Sequence, residues 1–221
     1  MVTVLRRLGV HVDFPMDQTC CGQPAFNSGY SHEAASLARR FLDIFDKSEY
    51  VVVPSGSCAS MVKEFYPGLL RSEPSIKEQA RSLSGRVYEF SQFLVNVLGV
   101  TDVGASFQGK VTYHDSCHLL RELGVNQEPR ELIEKVQGVE VVPLANSNVC
   151  CGFGGAFSVK YPEISAAMLS DKLELIKQTG ADVVVANDSG CLMHLAGGIR
   201  REKLPIKTMH LAELLAQKTG A

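Results

Sequence analysis

The sequence predicts an α/β fold of two pseudo-repeated units, each a parallel sheet flanked by helices with cysteines at the carboxyl ends of its strands. Three observations lead there. The stretch "TCCGQPAF" around Cys20 and Cys21 returns as "VCCGFGGAF" around Cys150 and Cys151, about 130 residues later. Each pair is followed by a stretch with apolar residues at helical spacing. A short β-type run then ends in one more cysteine, Cys58 in the first copy and Cys191 in the second.

Taken in order, the chain opens in helix-like "TVLRRLG". Its first amphipathic helix is "SHEAASLARRFLDIFDKS", with Leu37, Phe41 and Ile44 on one face, and "YVVVPSGSC" reads as a strand leading to Cys58. "EFSQFLVNVLG" closes the unit through Phe90, Phe93 and Leu94. "TDVGASFQGK" reads as a linker, because its glycines and polar residues interrupt both helical and strand periods. The expected units are therefore 1–104 and 105–221, with the boundary near residue 105. The second opens with the extended run "KVTYHDSC", ending at Cys117. "PEISAAMLSDKLELIKQTG" repeats the helix through Ile164, Met168 and Leu175, "DVVVANDSGC" leads to Cys191, and "HLAELLAQKTG" closes through Leu211, Leu214 and Leu215. A first-unit counterpart of Cys117, 33 positions before Cys20, would fall at −13. The first unit is accordingly expected to lack its opening strand.

With 22 Lys and Arg against 24 Asp and Glu, a net charge of −2 gives no basis for nucleic acid as a partner. No apolar run reaches the roughly 18 residues of a spanning helix, and "MVTVLRRLGVHVDF" does not read as a secretory signal. A cytoplasmic protein is expected, where thiols stay reduced and clustered cysteines bind metals or do redox chemistry. Adjacent cysteines also make a poor disulfide, since the bond's preferred distances and torsion are out of reach.

Cys117, Cys150, Cys151 and Cys191 would bring four thiols from three strand-end loops to one place. An iron–sulfur cluster or a four-coordinate zinc would be satisfied by them. The adjacent pair favours a polynuclear cluster, in which each neighbour has its own iron, and the glycines let backbone approach an inorganic group. The first copy offers three thiols, Cys20, Cys21 and Cys58. His194, three residues after Cys191, is a further candidate ligand, or a plain helix-start histidine. His114, Asp115 and His118 around Cys117 are candidate proton carriers for a hydroxy acid; the structural alternative makes Asp115 and Ser116 caps of the helix "CHLLREL". No glycine pattern for a nucleotide is present. A non-enzymatic zinc or scaffold module, or a thiol enzyme acting through Cys58 or Cys191, stays open on these residues alone.

The motifs "CCGQPAFNSGY", "VVVPSGSC", "YHDSCH", "CCGFGGAFSVK" and "GCLMH" resemble the cysteine-rich CCG-domain family, which includes the cysteine-rich component of heterodisulfide reductase and the iron–sulfur component of glycolate oxidase, and within it the lactate-utilisation branch. That resemblance implies a cluster, [4Fe-4S] in type, at Cys117, Cys150, Cys151 and Cys191, with a second at Cys20, Cys21 and Cys58. The family's fuller motif ends in CxxC; here Met61 and His194 stand at the last position, so a five-thiol site does not carry over. It further implies electron transfer in the oxidation of L-lactate to pyruvate, a small 2-hydroxy acid as substrate, and partner subunits with further iron–sulfur centres.

Overall fold

A computed structural model describes residues 1–218. Its six strands form two sheets, both all-parallel. The first half contributes β1 (Val51–Val53) and β2 (Val87–Glu89), paired with each other. The second half contributes β3 (Ser106–Tyr113), β4 (Gln137–Val141), β5 (Val183–Ala186) and β6 (Lys207–His210), in the order β4-β3-β5-β6. Parallel neighbours need crossovers, which helices supply. Helices Gly56–Ser60 and Pro74–Ser84 lie between β1 and β2, and Ser189–Arg201 lies between β5 and β6. All four residues of β5 are buried, as a strand between two others and covered on both faces requires. Thus β1 and β2 stand in the first half where β5 and β6 stand in the second.

Two expectations need adjustment. The stretch read as a linker is half strand: β3 starts at Ser106 and runs through Gly109, whose φ of +150° accompanies a register shift against β4. Pairing with β4 outweighs the local glycine and polar signals. The buried line of each long helix also sits one position along from the one read from the sequence. Ala34, Ala38, Leu42 and Phe45 are buried on helix Ser31–Phe45, and Leu169, Leu173 and Ile176 on helix Pro162–Thr179, while Ile164 is 55% exposed.

The halves share a core. Phe90, Phe93 and Leu94 of the first pack with Val111, Val183, Leu211, Leu214 and Leu215 of the second. Gly56 lies so near Leu119 that a Cβ on it would stand 2.6 Å from the Leu119 Cβ. Polar contacts cross the same seam: the Asp188 carboxylate accepts from Ser55 Oγ and from the Ser57 amide, each at 3.1 Å. Asn187 Nδ2 donates to Glu89 Oε1 at 2.9 Å. No helix among the described residues is long and apolar enough to cross a membrane.

Candidate metal centre

Both CCG loops have the same local build, fixed by their glycine. Gly22 and Gly152 take φ of +87° and +89°, which L-side chains avoid. A Cβ on Gly152 would meet the Ser165 carbonyl at 2.7 Å and Met168 Cβ at 2.9 Å; one on Gly22 would meet the Ala34 carbonyl at 3.2 Å and Leu37 Cβ at 3.4 Å. So each loop lies against the amino-terminal turns of the long helix that follows. In each, the glycine N–H donates back to the first cysteine, Gly152 to Cys150 Sγ at 3.3 Å and Gly22 to Cys20 Sγ at 3.5 Å.

Around the second loop the sulfurs follow one another as neighbours: Cys117 and Cys151 each lie beside Cys150, and Cys151 lies beside Cys191. Those two neighbouring thiols, with the Gly152 amide, hold Cys150 well below the ordinary thiol range against the opposing effect of burial. Cys191 is drawn down to about 6, first by Cys151 and then by the facing His114 imidazole. Cys117 and Cys151 are pushed up by those neighbours and by burial. The four sulfurs come from the end of β3, the CCG loop and the helix after β5, as strand-end loops of a parallel sheet allow. All seven cysteines are free thiols.

His114 and Lys172 complete the surroundings. His114 is fully buried, and its ring nitrogen lies with the Sγ atoms of Cys151 and Cys191 in a trio within 4.8 Å of one another. Lys172, 1% exposed, donates from Nζ to the carbonyl of Asn146 at 2.6 Å, which steadies the approach to Cys150. Burial lowers its pKa, while Cys151, Asp115, Cys150 and Cys117 act to keep it charged. Nothing in the motif pointed to this lysine. Its position on the helix, one turn from Leu169 and Ile176, was the available signal.

The remaining candidates fall elsewhere. Asp115 is neither a cap nor a free base: Arg130 reaches both its oxygens at 2.8 and 2.7 Å, and Ser147 Oγ donates at 2.7 Å. Burial pushes the carboxyl up, but these bonds outweigh it and hold it low. Ser116 stands at the helix start without a side-chain cap bond. His118 is half-buried in the first turn. His194 braces the loop, its Nε2 3.3 Å from Ser165 Oγ, which itself donates to the Gly152 carbonyl at 2.8 Å. In the first loop Cys21 lies beside Cys58, near exposed Cys20, and the Tyr66 hydroxyl donates to the Cys21 carbonyl at 2.7 Å.

Two vicinal thiol pairs on matching glycine turns, each joined by a later cysteine, are a duplicated arrangement. The sequence model of the cysteine-rich domain named CCG matches residues 1–63 and 111–196, so both loops are covered. The chain belongs to the CCG cysteine-rich domain family. Among curated relatives of this CCG protein, Lactate utilization protein A of Geobacillus thermodenitrificans is 51% identical over 214 residues, 97% of this chain and 89% of its own. The protein of the same name from Bacillus licheniformis is 50% identical over 97% of this chain and 90% of its own, and that from Bacillus subtilis 48% over the same shares.

The site suits an iron–sulfur cluster by its donor chemistry. Four convergent thiols meet the need for thiolate ligands. A glycine turn excludes any side chain from the loop, amide N–H groups face sulfur, and a buried lysine opposes the negative charge.

Proposed function

We propose that this chain is an iron–sulfur redox subunit of a multi-subunit system that oxidises L-lactate to pyruvate, acting in electron transfer. The observation that carries the cluster assignment is the succession of neighbouring thiols Cys117, Cys150, Cys151 and Cys191, beside a buried lysine. The substrate rests on the relatives that bear the name Lactate utilization protein A. A reducing, cytoplasmic setting agrees with seven unpaired cysteines. The two repeats are taken as 1–104 and 105–221, with Cys20, Cys21 and Cys58 as the lesser site of the first.

A cluster bound there supplies one-electron steps at a potential set by its ligands and their hydrogen bonds. The chain's own residues do the rest. The four cysteines bind as thiolates, the Gly152 amide donates to Cys150 Sγ, and Lys172 supplies opposing charge from within the protein. Taking two electrons and two protons from a 2-hydroxy acid requires an acceptor beyond this chain, so partner subunits with further iron–sulfur centres complete the path. Asp115 is paired with Arg130, which disfavours its taking up a proton.

The test is anaerobic purification or reconstitution, followed by iron and labile sulfide analysis. Brown protein with sulfide in proportion to iron is expected, and Cys150→Ser should lose most of both. One bound zinc without sulfide would replace this reading by a non-enzymatic zinc or scaffold module.

A further inference from the structure

Among the described residues of the second half, His114 is the one titratable side chain that is wholly buried beside the sulfurs and has neither ring nitrogen in a well-formed hydrogen bond. A buried polar group without a hydrogen-bond partner is destabilising. The ring has no route to water. Its own amide is tied to the Val185 carbonyl at 2.8 Å, extending the β3–β5 ladder, and the next residue, Asp115, is clamped by Arg130. What the imidazole faces is sulfur: one ring nitrogen and the Sγ atoms of Cys151 and Cys191 lie mutually within 4.8 Å. Donors on a single metal atom, with bonds of about 2.0–2.3 Å, stand about 3.5–3.8 Å apart, so movements on the order of 1 Å bring the ring nitrogen and one of these sulfurs onto the same metal atom.

We infer that His114 is an imidazole ligand of the cluster, bound to iron on its buried side; the inference rests on the iron–sulfur reading above. A neutral ring nitrogen shares its lone pair with iron, and no proton or electron changes hands. Together with four thiolates this gives one iron two protein ligands. His194, the residue at the expected motif position, does not compete: it is half-buried and already set against Ser165. Imidazole in place of thiolate on iron raises the reduction potential, so the residue also helps set the working range.

The experiment uses the full chain labelled with 15N-histidine, reconstituted anaerobically with 57Fe and sulfide, and read by pulsed EPR and Mössbauer spectroscopy. A directly bonded nitrogen and one distinguishable iron site are expected in the wild-type protein. His194→Gln should retain both. His114→Cys should keep iron and sulfide content, lose the nitrogen coupling and lower the midpoint potential; His114→Gln, with circular dichroism as a fold check, should lose the coupling too. An intact cluster without nitrogen coupling, or a coupling that survives in His114→Cys, overturns the assignment and leaves the iron–sulfur reading standing. Failure to take up iron and sulfide at all overturns both.

Discussion

Glu89 offers the most quantitative prediction, because it is a carboxyl with no exposure and, among the described residues, no cation bonded to it. It caps the helix Phe90–Gln92, accepting from the Ser91 amide at 2.8 Å and the Gln92 amide at 3.3 Å, and its other oxygen accepts from Asn187 across the seam. Burial outweighs those hydrogen bonds and raises its pKa from 4.5 to about 7. The unfolded chain gives up this proton near 4.5 and the folded chain near 7, so between the two folding takes up a proton. The contribution is complete below 4.5 and is lost as pH climbs to about 7. At about 1.36 kcal/mol per pH unit, that span is worth about 3 kcal/mol. Glu89→Gln keeps the shape and removes the titration, with the Asn187 amide turned to accept from the new Nε2. Urea unfolding of both proteins from about pH 4.5 to 8, under reducing anaerobic conditions, gives the difference in stability directly. Wild type minus variant should fall by about 3 kcal/mol across that range and then level off. Burial lowers His210 and His194, which weakens the fold below about 6.5, but both proteins share that slope. Parallel curves for the two proteins would refute the account of Glu89 as a buried, protonated bridge.

Gly152→Ala combines positive-φ strain with a Cβ 2.7 Å from the Ser165 carbonyl, and should cost more than the roughly 1–2 kcal/mol of Gly180→Ala, a left-handed helix end at φ +63° with open space around it; equal melting temperatures for the two variants would count against the close approach. Lys172→Met should lower the midpoint potential of the reconstituted protein, since a buried positive charge favours the reduced state; an unchanged redox titration would remove the lysine from the site's electrostatics. Asp188→Ala deletes two hydrogen bonds to a charged acceptor across the seam, about 1.5–3 kcal/mol each, and should appear as lower denaturant midpoint and faster proteolysis of the first half.

The duplicated layout was legible because its signals are local: a cysteine pair, a glycine that must take positive φ, a helix, and a β-type run ending in cysteine. Convergence of Cys117, Cys150, Cys151 and Cys191 follows from parallel topology, which puts every strand's carboxyl end on one edge. What stayed hidden depends on pairs distant in sequence. Asp115 read as a cap because its neighbour is a helix start, yet Arg130, fifteen residues on, offers a bidentate partner that a cap cannot match. Glu89 and Asn187 meet only because the units pack together, 98 positions apart. The strand in "SFQGK" was missed for the same reason, since its partner β4 lies about 30 residues away in the register.

The repeat also contains an asymmetry that decides where a cluster should sit. Since Gly152 meets Ser165 and Met168 where Gly22 meets Ala34 and Leu37, the two long helices align with an offset of 131. On that alignment the first-half counterpart of Lys172 is Phe41. Phe41 packs against Phe45 and Tyr66, with ring centroids 4.5 and 5.8 Å away, so the space filled in the second half by a buried cation is filled in the first by aromatic rings. Placing anionic thiolates and sulfides there would bury charge without compensation, which is costly. The first loop also brings three thiols rather than four, and Cys20 is exposed. Loading should therefore be unequal. Reconstitution is expected to give close to one cluster per chain, with Cys151→Ser removing nearly all iron and Cys21→Ser removing little. Equal losses from the two substitutions, at matched folding by circular dichroism, would mean that the aromatic half binds as well as the half with the lysine, and that charge compensation does not select the site.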